Sequence, residues 1–182
     1  MTSIYMPVRA DGFELCRPVY HRDAESIERQ INGKNRKPTW QPIMVRLIQE
    51  EAGERFLPSD SPWLGAHALV FRPVALDALG PTLYRFGERL PLACAQDDLV
   101  VFNPTRVVDG LDENASVVQR YRDGRILEVI KYAFRTRAII GLDVFKLSCL
   151  QVSPTFVSDR VVDRWKRAGL KGLEFQEVWA SA

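Results

Sequence analysis

Residues 117–134, VVQRYRDGRILEVIKYAF, hold two extended runs, Val117 to Tyr121 and Ile126 to Phe134, on either side of Arg122-Asp123-Gly124-Arg125. β-Branched and aromatic side chains suit a pleated, half-buried surface, and an Asp-Gly pair supplies the positive φ angles of a tight type I′ turn, so this stretch predicts a hairpin. Upstream, Leu90 to Cys94 and Leu99 to Phe102 flank Ala95-Gln96-Asp97-Asp98 in the same way and predict another. Downstream, Phe145-Lys146-Leu147 is extended, and Ser158 is placed to cap a helix carrying Val161, Val162, Trp165 and Ala168. Gly169 closes that helix, and Gly172 to Val178 alternates as a final strand, with Trp165 and Phe175 expected to join helix to strand in the core. Many short strands, few helices of unequal length and no regular βαβ alternation predict an α+β fold. The expected arrangement is a single domain over residues 1–182, a largely antiparallel sheet with a few packed helices.

The N-terminal part is less regular. Ile4 to Val8 and Phe13 to Cys16 alternate as short strands, the first weakened by Pro7, which a central strand would not accept. Asp23 is placed to cap a helix through Ile27 to about Ile31, and Asn32 to Pro38 is a Gly/Pro-punctuated loop. Ile43 to Ile48 is apolar enough to be a strand buried on both faces, followed by a solvated turn at Glu50, Glu51 and Glu54 and a loop from Pro58 to Pro62. The apolar run Ala68 to Phe71 stops at Arg72-Pro73, and Pro73 suits the first turn of a helix carrying Val74, Leu76, Leu79 and Leu83, which Gly80-Pro81 interrupts or ends early.

The chain has 182 residues, 46% hydrophobic and 26% charged, a balance that excludes a disordered tail or a collagen-like repeat. Its apolar runs fall far short of the roughly 20 residues that cross a bilayer. The start MTSIYMPVRADGFEL lacks a basic segment followed by an apolar core, so the expectation is a cytoplasmic protein with no membrane partner, or one exported without its own signal. Cys16, Cys94 and Cys149 form no CxxC pair and read as small hydrophobes in a reducing compartment. His21 and His67 have no second ligand at metal spacing, and the chain has no GxxxxGK[ST], GxGxxG or GxSxG motif, so no metal, no cofactor and no catalytic residue is expected.

Two charge features remain. Asp109, Asp112 and Glu113 crowd into Asp109-Gly110-Leu111-Asp112-Glu113-Asn114, which lacks the alternating ligands of an EF-hand and reads as an acidic turn. Residues 1–116 carry 13 basic and 16 acidic side chains, whereas residues 117–171 carry 12 and 5, a net of +7 that could form a phosphate-binding face. Arg120, Arg122 and Arg125 flank a turn, and Tyr121 and Tyr132 lie within strands, so solvated faces account for this charge more simply than nucleic-acid binding.

Taken together, Trp63-Leu64-Gly65, Leu90-Pro91-Leu92, Phe102-Asn103-Pro104-Thr105-Arg106-Val107-Val108-Asp109, Leu111-Asp112-Glu113, Tyr132-Ala133-Phe134, Phe145-Lys146-Leu147, Phe156-Val157-Ser158 and Ala168-Gly169-Leu170-Lys171-Gly172-Leu173-Glu174-Phe175 resemble one family. It is the eleventh immunity-protein family of bacterial polymorphic toxin systems, and the resemblance spans roughly residues 60–178. The resemblance implies a protein that binds and occludes a cognate toxin without catalysis. A small basic-faced nucleic-acid-binding protein is the alternative, and an enzyme using Asp109, Asp112 or Glu113 with His67 the remotest reading. Toxins that attack nucleic acids need a basic cleft, so Asp97, Asp98, Asp109, Asp112 and Glu113, lying at turns, are the candidate contacts for a nuclease-type toxin domain.

Overall fold

The computed structural model describes residues 2–181. In chain order the elements are β1 (Ser3–Arg9), β2 (Leu15–Pro18), α1 (His21–Gln30), β3 (Met44–Ile48), β4 (Glu50–Glu51), β5 (Glu54–Arg55), β6 (Val70–Phe71), α2 (Pro73–Leu83), β7 (Gly87–Cys94), β8 (Leu99–Pro104) and β9 (Val107–Val108). They continue with β10 (Val117–Arg120), β11 (Ile126–Lys131), α3 (Thr136–Ile139), β12 (Val144–Leu147), β13 (Phe156–Ser158), α4 (Asp159–Arg167) and β14 (Leu173–Ala180). Two five-stranded sheets carry the fold, ordered β14-β1-β13-β12-β9 and β2-β3-β7-β8-β6. Only β3 with β7 and β9 with β12 run parallel among the strand pairs of the described residues, so the fold is α+β and largely antiparallel.

Successive strand residues point to opposite faces, and here that period of two sends neighbours into different cores. Phe71, Phe102, Val144 and Val157 meet α2 and α4 in a layer shared by both sheets. The residues beside them turn away: Val70 and Val101 pack under α1 with Ile27 and Ile31, whereas Phe145 and Phe156 pack under α3 and the β10–β11 hairpin with Ile126, Val129 and Phe134. Trp165 is buried and meets Phe175 edge-on at 5.8 Å, joining α4 to β14 as expected.

Several local expectations are corrected. β1 is a central strand despite Pro7, because β13 pairs only with Ile4 and Tyr5 and the edge where Pro7 would need a donor faces no strand. α1 begins at His21, with Tyr20 at the cap position, so Asp23 lies in the first turn and complements the helix dipole there. β3 is buried on one face only, with Met44 and Arg46 exposed. α2 runs through Pro81 to Leu83, since a proline on the exposed side of a last turn forfeits a single backbone bond. Only Gly124 of the hairpin turn has positive φ; Tyr121 O accepts from Gly124 N and Arg125 O from Tyr121 N, a longer turn than type I′. Ser158 stands at the N-cap of α4, but its hydroxyl donates to Asp143 Oδ1 at 2.7 Å.

A lysine lies inside. The Lys146 side chain on β12 donates to His67 O and Ser153 O, each at 2.7 Å, in a residue only 2% exposed, tying the segment before β6 to the other sheet. Burial draws its pKa from 10.5 down to about 7. Between those values the unfolded chain holds more protons than the folded one, so stability rises with pH. Burial also pushes Cys16 and Tyr132 up to about 12, and both oppose this trend only above about pH 9.

Two outcomes follow from this packing. Trp165→Ala should cost about 3–5 kcal/mol in urea unfolding, and an unchanged midpoint would place the ring at the surface. The Tm of the wild type relative to Lys146→Met should rise between pH 7 and 8.5; a constant difference would mean that the lysine stays fully charged in the fold.

Candidate functional site

The five acidic candidates fall at two places, one on each sheet. Asp97 and Asp98 sit in the β7–β8 turn of one, and Asp109, Asp112 and Glu113 lie between β9 of the other and β10. Asp97 is committed internally: Arg72 Nε donates to its Oδ2 at 2.5 Å, and this hydrogen bond holds its carboxyl below the usual range against an opposing desolvation effect. The same guanidinium pairs with Glu14, whose side chain is fully buried and accepts from Ser59 N at 2.8 Å and Gln49 Nε2 at 3.1 Å. Glu14, Arg72 and Asp97 therefore form one network that pins the 58–62 loop. Removing the arginine would strand a buried carboxylate, a loss of about 3–5 kcal/mol in comparable pairs.

The second group is similarly engaged. Asp109 pairs with Arg135 and Glu113 with Arg120, while Asp112 accepts from Asn114 N at 3.1 Å through its side chain and from Ser116 N at 2.9 Å through its carbonyl. Asp112 is thus an Asx-type turn former, half-buried, whereas Asp98, Asp109 and Glu113 stay exposed. Burial raises the pKa of nearby Cys149, and Glu113 and Asp109 add to that rise. Among the described residues no three His, Cys, Asp or Glu side chains converge to hold a metal ion.

The basic segment is partly neutralised by the same contacts. Besides Arg120 and Arg135, Arg125 pairs with Asp123, Arg160 with Asp143 and Arg167 with Asp163, and Lys146 is inside. What faces outward on the hairpin is apolar as well as basic, with Val117, Tyr121, Leu127 and Ile130 exposed.

The motif residues do structural work. Phe145 and Phe156 stack at 5.4 Å in the core, and Gly169 ends α4 at φ +67°. A Cβ on Gly172 would fall 1.7 Å from Ser59 Oγ, so this turn must be glycine to pack on the 58–62 loop. Asn103 is fully buried, accepting from Gly33 N at 3.0 Å and donating to Lys34 O at 2.8 Å, which fastens the 32–38 loop to β8. Sequence reading missed the Glu14–Arg72 pair, Asn103 and Lys146 as organising groups. The available signal was a charged or amide side chain inside an otherwise apolar run, as in Phe13-Glu14-Leu15 and Phe145-Lys146-Leu147.

No curated protein matches the chain. A family profile does: that of an immunity protein family (Imm11), over residues 96–180. The span takes in β8 to β14 and leaves Trp63-Leu64-Gly65 and Leu90-Pro91-Leu92 outside it. Over residues 96–180, a little under half of its length, the chain is similar to the Imm11 immunity protein family.

Proposed function

We propose that the protein binds a cognate toxin and blocks it one-to-one, without turnover, in the cytoplasm of the producing or sibling cell. The observation that carries this reading is the match of residues 96–180 to an immunity family. Two features of the molecule support it. The residues that make up the matched motifs serve as core and turn, and the charged groups of the candidate site hold loops in place, an arrangement suited to presenting a fixed surface. Immunity needs complementarity to one partner and exclusion of others, which rigid loops and fixed charges provide.

Within this reading, the solvent-facing candidates are Asp98, which makes no ion pair among the described residues, and Asp109 and Glu113, which are exposed but partly neutralised by Arg135 and Arg120. They act as steering charges for a basic cleft, such as that of a nuclease-type toxin, while Asp97 and Asp112 hold the turns that carry them. Nucleic-acid binding by the segment of residues 117–171 is the weaker reading, because so many of its arginines are already paired with carboxylates.

The test is a titration. A toxin domain, if the gene adjacent to this chain's encodes one, should lose activity linearly with added protein and reach zero at one equivalent. Full protection far below one equivalent would make the protein an enzymatic antidote, and no protection in excess would refute the immunity reading.

A further inference from the structure

Resting on that reading, we propose that the outer edge of β14 is the docking edge, taking an extended segment of the toxin as an added strand. Four strands end the two five-stranded sheets. β6 and β9 have two residues each, and β2 is covered by the chain at Leu57 and Trp63, whose carbonyls accept from Glu14 N and Cys16 N. β14 has eight residues, and among the described residues it pairs with β1 alone. Half of its backbone groups therefore point away from the sheet with no strand to meet them. Long open edges of this kind pair with other chains unless something prevents it.

Two hollows flank this edge on opposite faces of the sheet. On the α4 face a hollow of ≈ 520 Å³ is lined by Trp165, Lys166, Leu170 and Phe175. On the hairpin face another of ≈ 470 Å³ is lined by Met6, Ile130, Lys131, Tyr132, Glu177 and Val178. Side chains of an added strand alternate between faces, so consecutive residues would enter the two hollows in turn; that is how strand addition gains specificity beyond its backbone bonds.

Charge selects the occupant. β14 carries charge of one sign, Glu174 and Glu177, and neither these nor Glu128 across the hairpin-side hollow forms an ion pair among the described residues. A second copy pairing through β14 would bring like carboxylates onto one ribbon, which is unfavourable. Lys131 and Lys166 also line the hollows, against Glu128, Glu174 and Glu177, which leaves the surroundings of the edge net negative, and a mainly apolar partner strand with lysine or arginine opposite Glu174 and Glu177 fits both the hollows and the charge.

Amide hydrogen exchange on the full chain, alone and with the toxin domain encoded beside its gene, tests this. The β14 amides that point away from β1 should exchange freely in the isolated protein and slow by at least tenfold in the complex. The exposed double variant Glu174→Lys with Glu177→Lys should keep the wild-type Tm and weaken binding on the order of tenfold. A complex that leaves the β14 amides unchanged overturns the edge while the immunity reading stands. Protection in the free chain that grows with its concentration makes a second copy the occupant and also overturns it. Absence of any complex overturns both.

Discussion

The insertion of β1 between β14 and β13 is the constraint on which the rest of the structure depends. The first strand of the chain pairs along seven positions with the last, Ser3 opposite Ala180 through Arg9 opposite Leu173, and at Ile4 and Tyr5 with β13. The chain then leaves to build the whole second sheet before it returns at β9. Closing so long a loop costs entropy that must be regained by the contacts of both sheets, and the expectation is that the sheets and the helices between them unfold in one transition. The Imm11 match begins at residue 96, which leaves the strand at the heart of its own sheet outside the matched span.

Around that constraint the packing is simple. Period-two alternation hands each strand's neighbours to different cores, and α2 with α4 fills the layer between the sheets. Several polar groups left inside hold something in place: Lys146 bridges the sheets, Asn103 fastens one loop, and Glu14 with Arg72 fastens another. Buried charges of this kind are expensive unless fully paired, and they fix one arrangement where an apolar core would tolerate several.

What was legible in the sequence was local. Turn residues and alternation identify the β7–β8 and β10–β11 hairpins, and helical periodicity with Gly169 identifies α4 and its partner strand. The placement of β1 was not legible, because Pro7 argues against a central strand and nothing nearby says that β13 stops short of it. The acidic residues show the same limit at the candidate site. Their clustering is visible in the sequence, but that Asp97 belongs to Arg72 and Asp109 to Arg135 depends on segments brought together by the fold. The open edge of β14 is likewise a property of strand order, which no window of residues contains.

The proposed immunity function is thereby tied to the β1 insertion, because the matched region completes its sheet with a strand that lies outside it. The most direct measurement compares residues 96–180 alone with the full chain, by thermal unfolding and by protection of cells expressing the product of the adjacent gene. The fragment should show no cooperative transition and no protection, while the full chain shows both. A fragment that melts cooperatively and protects would contradict the account.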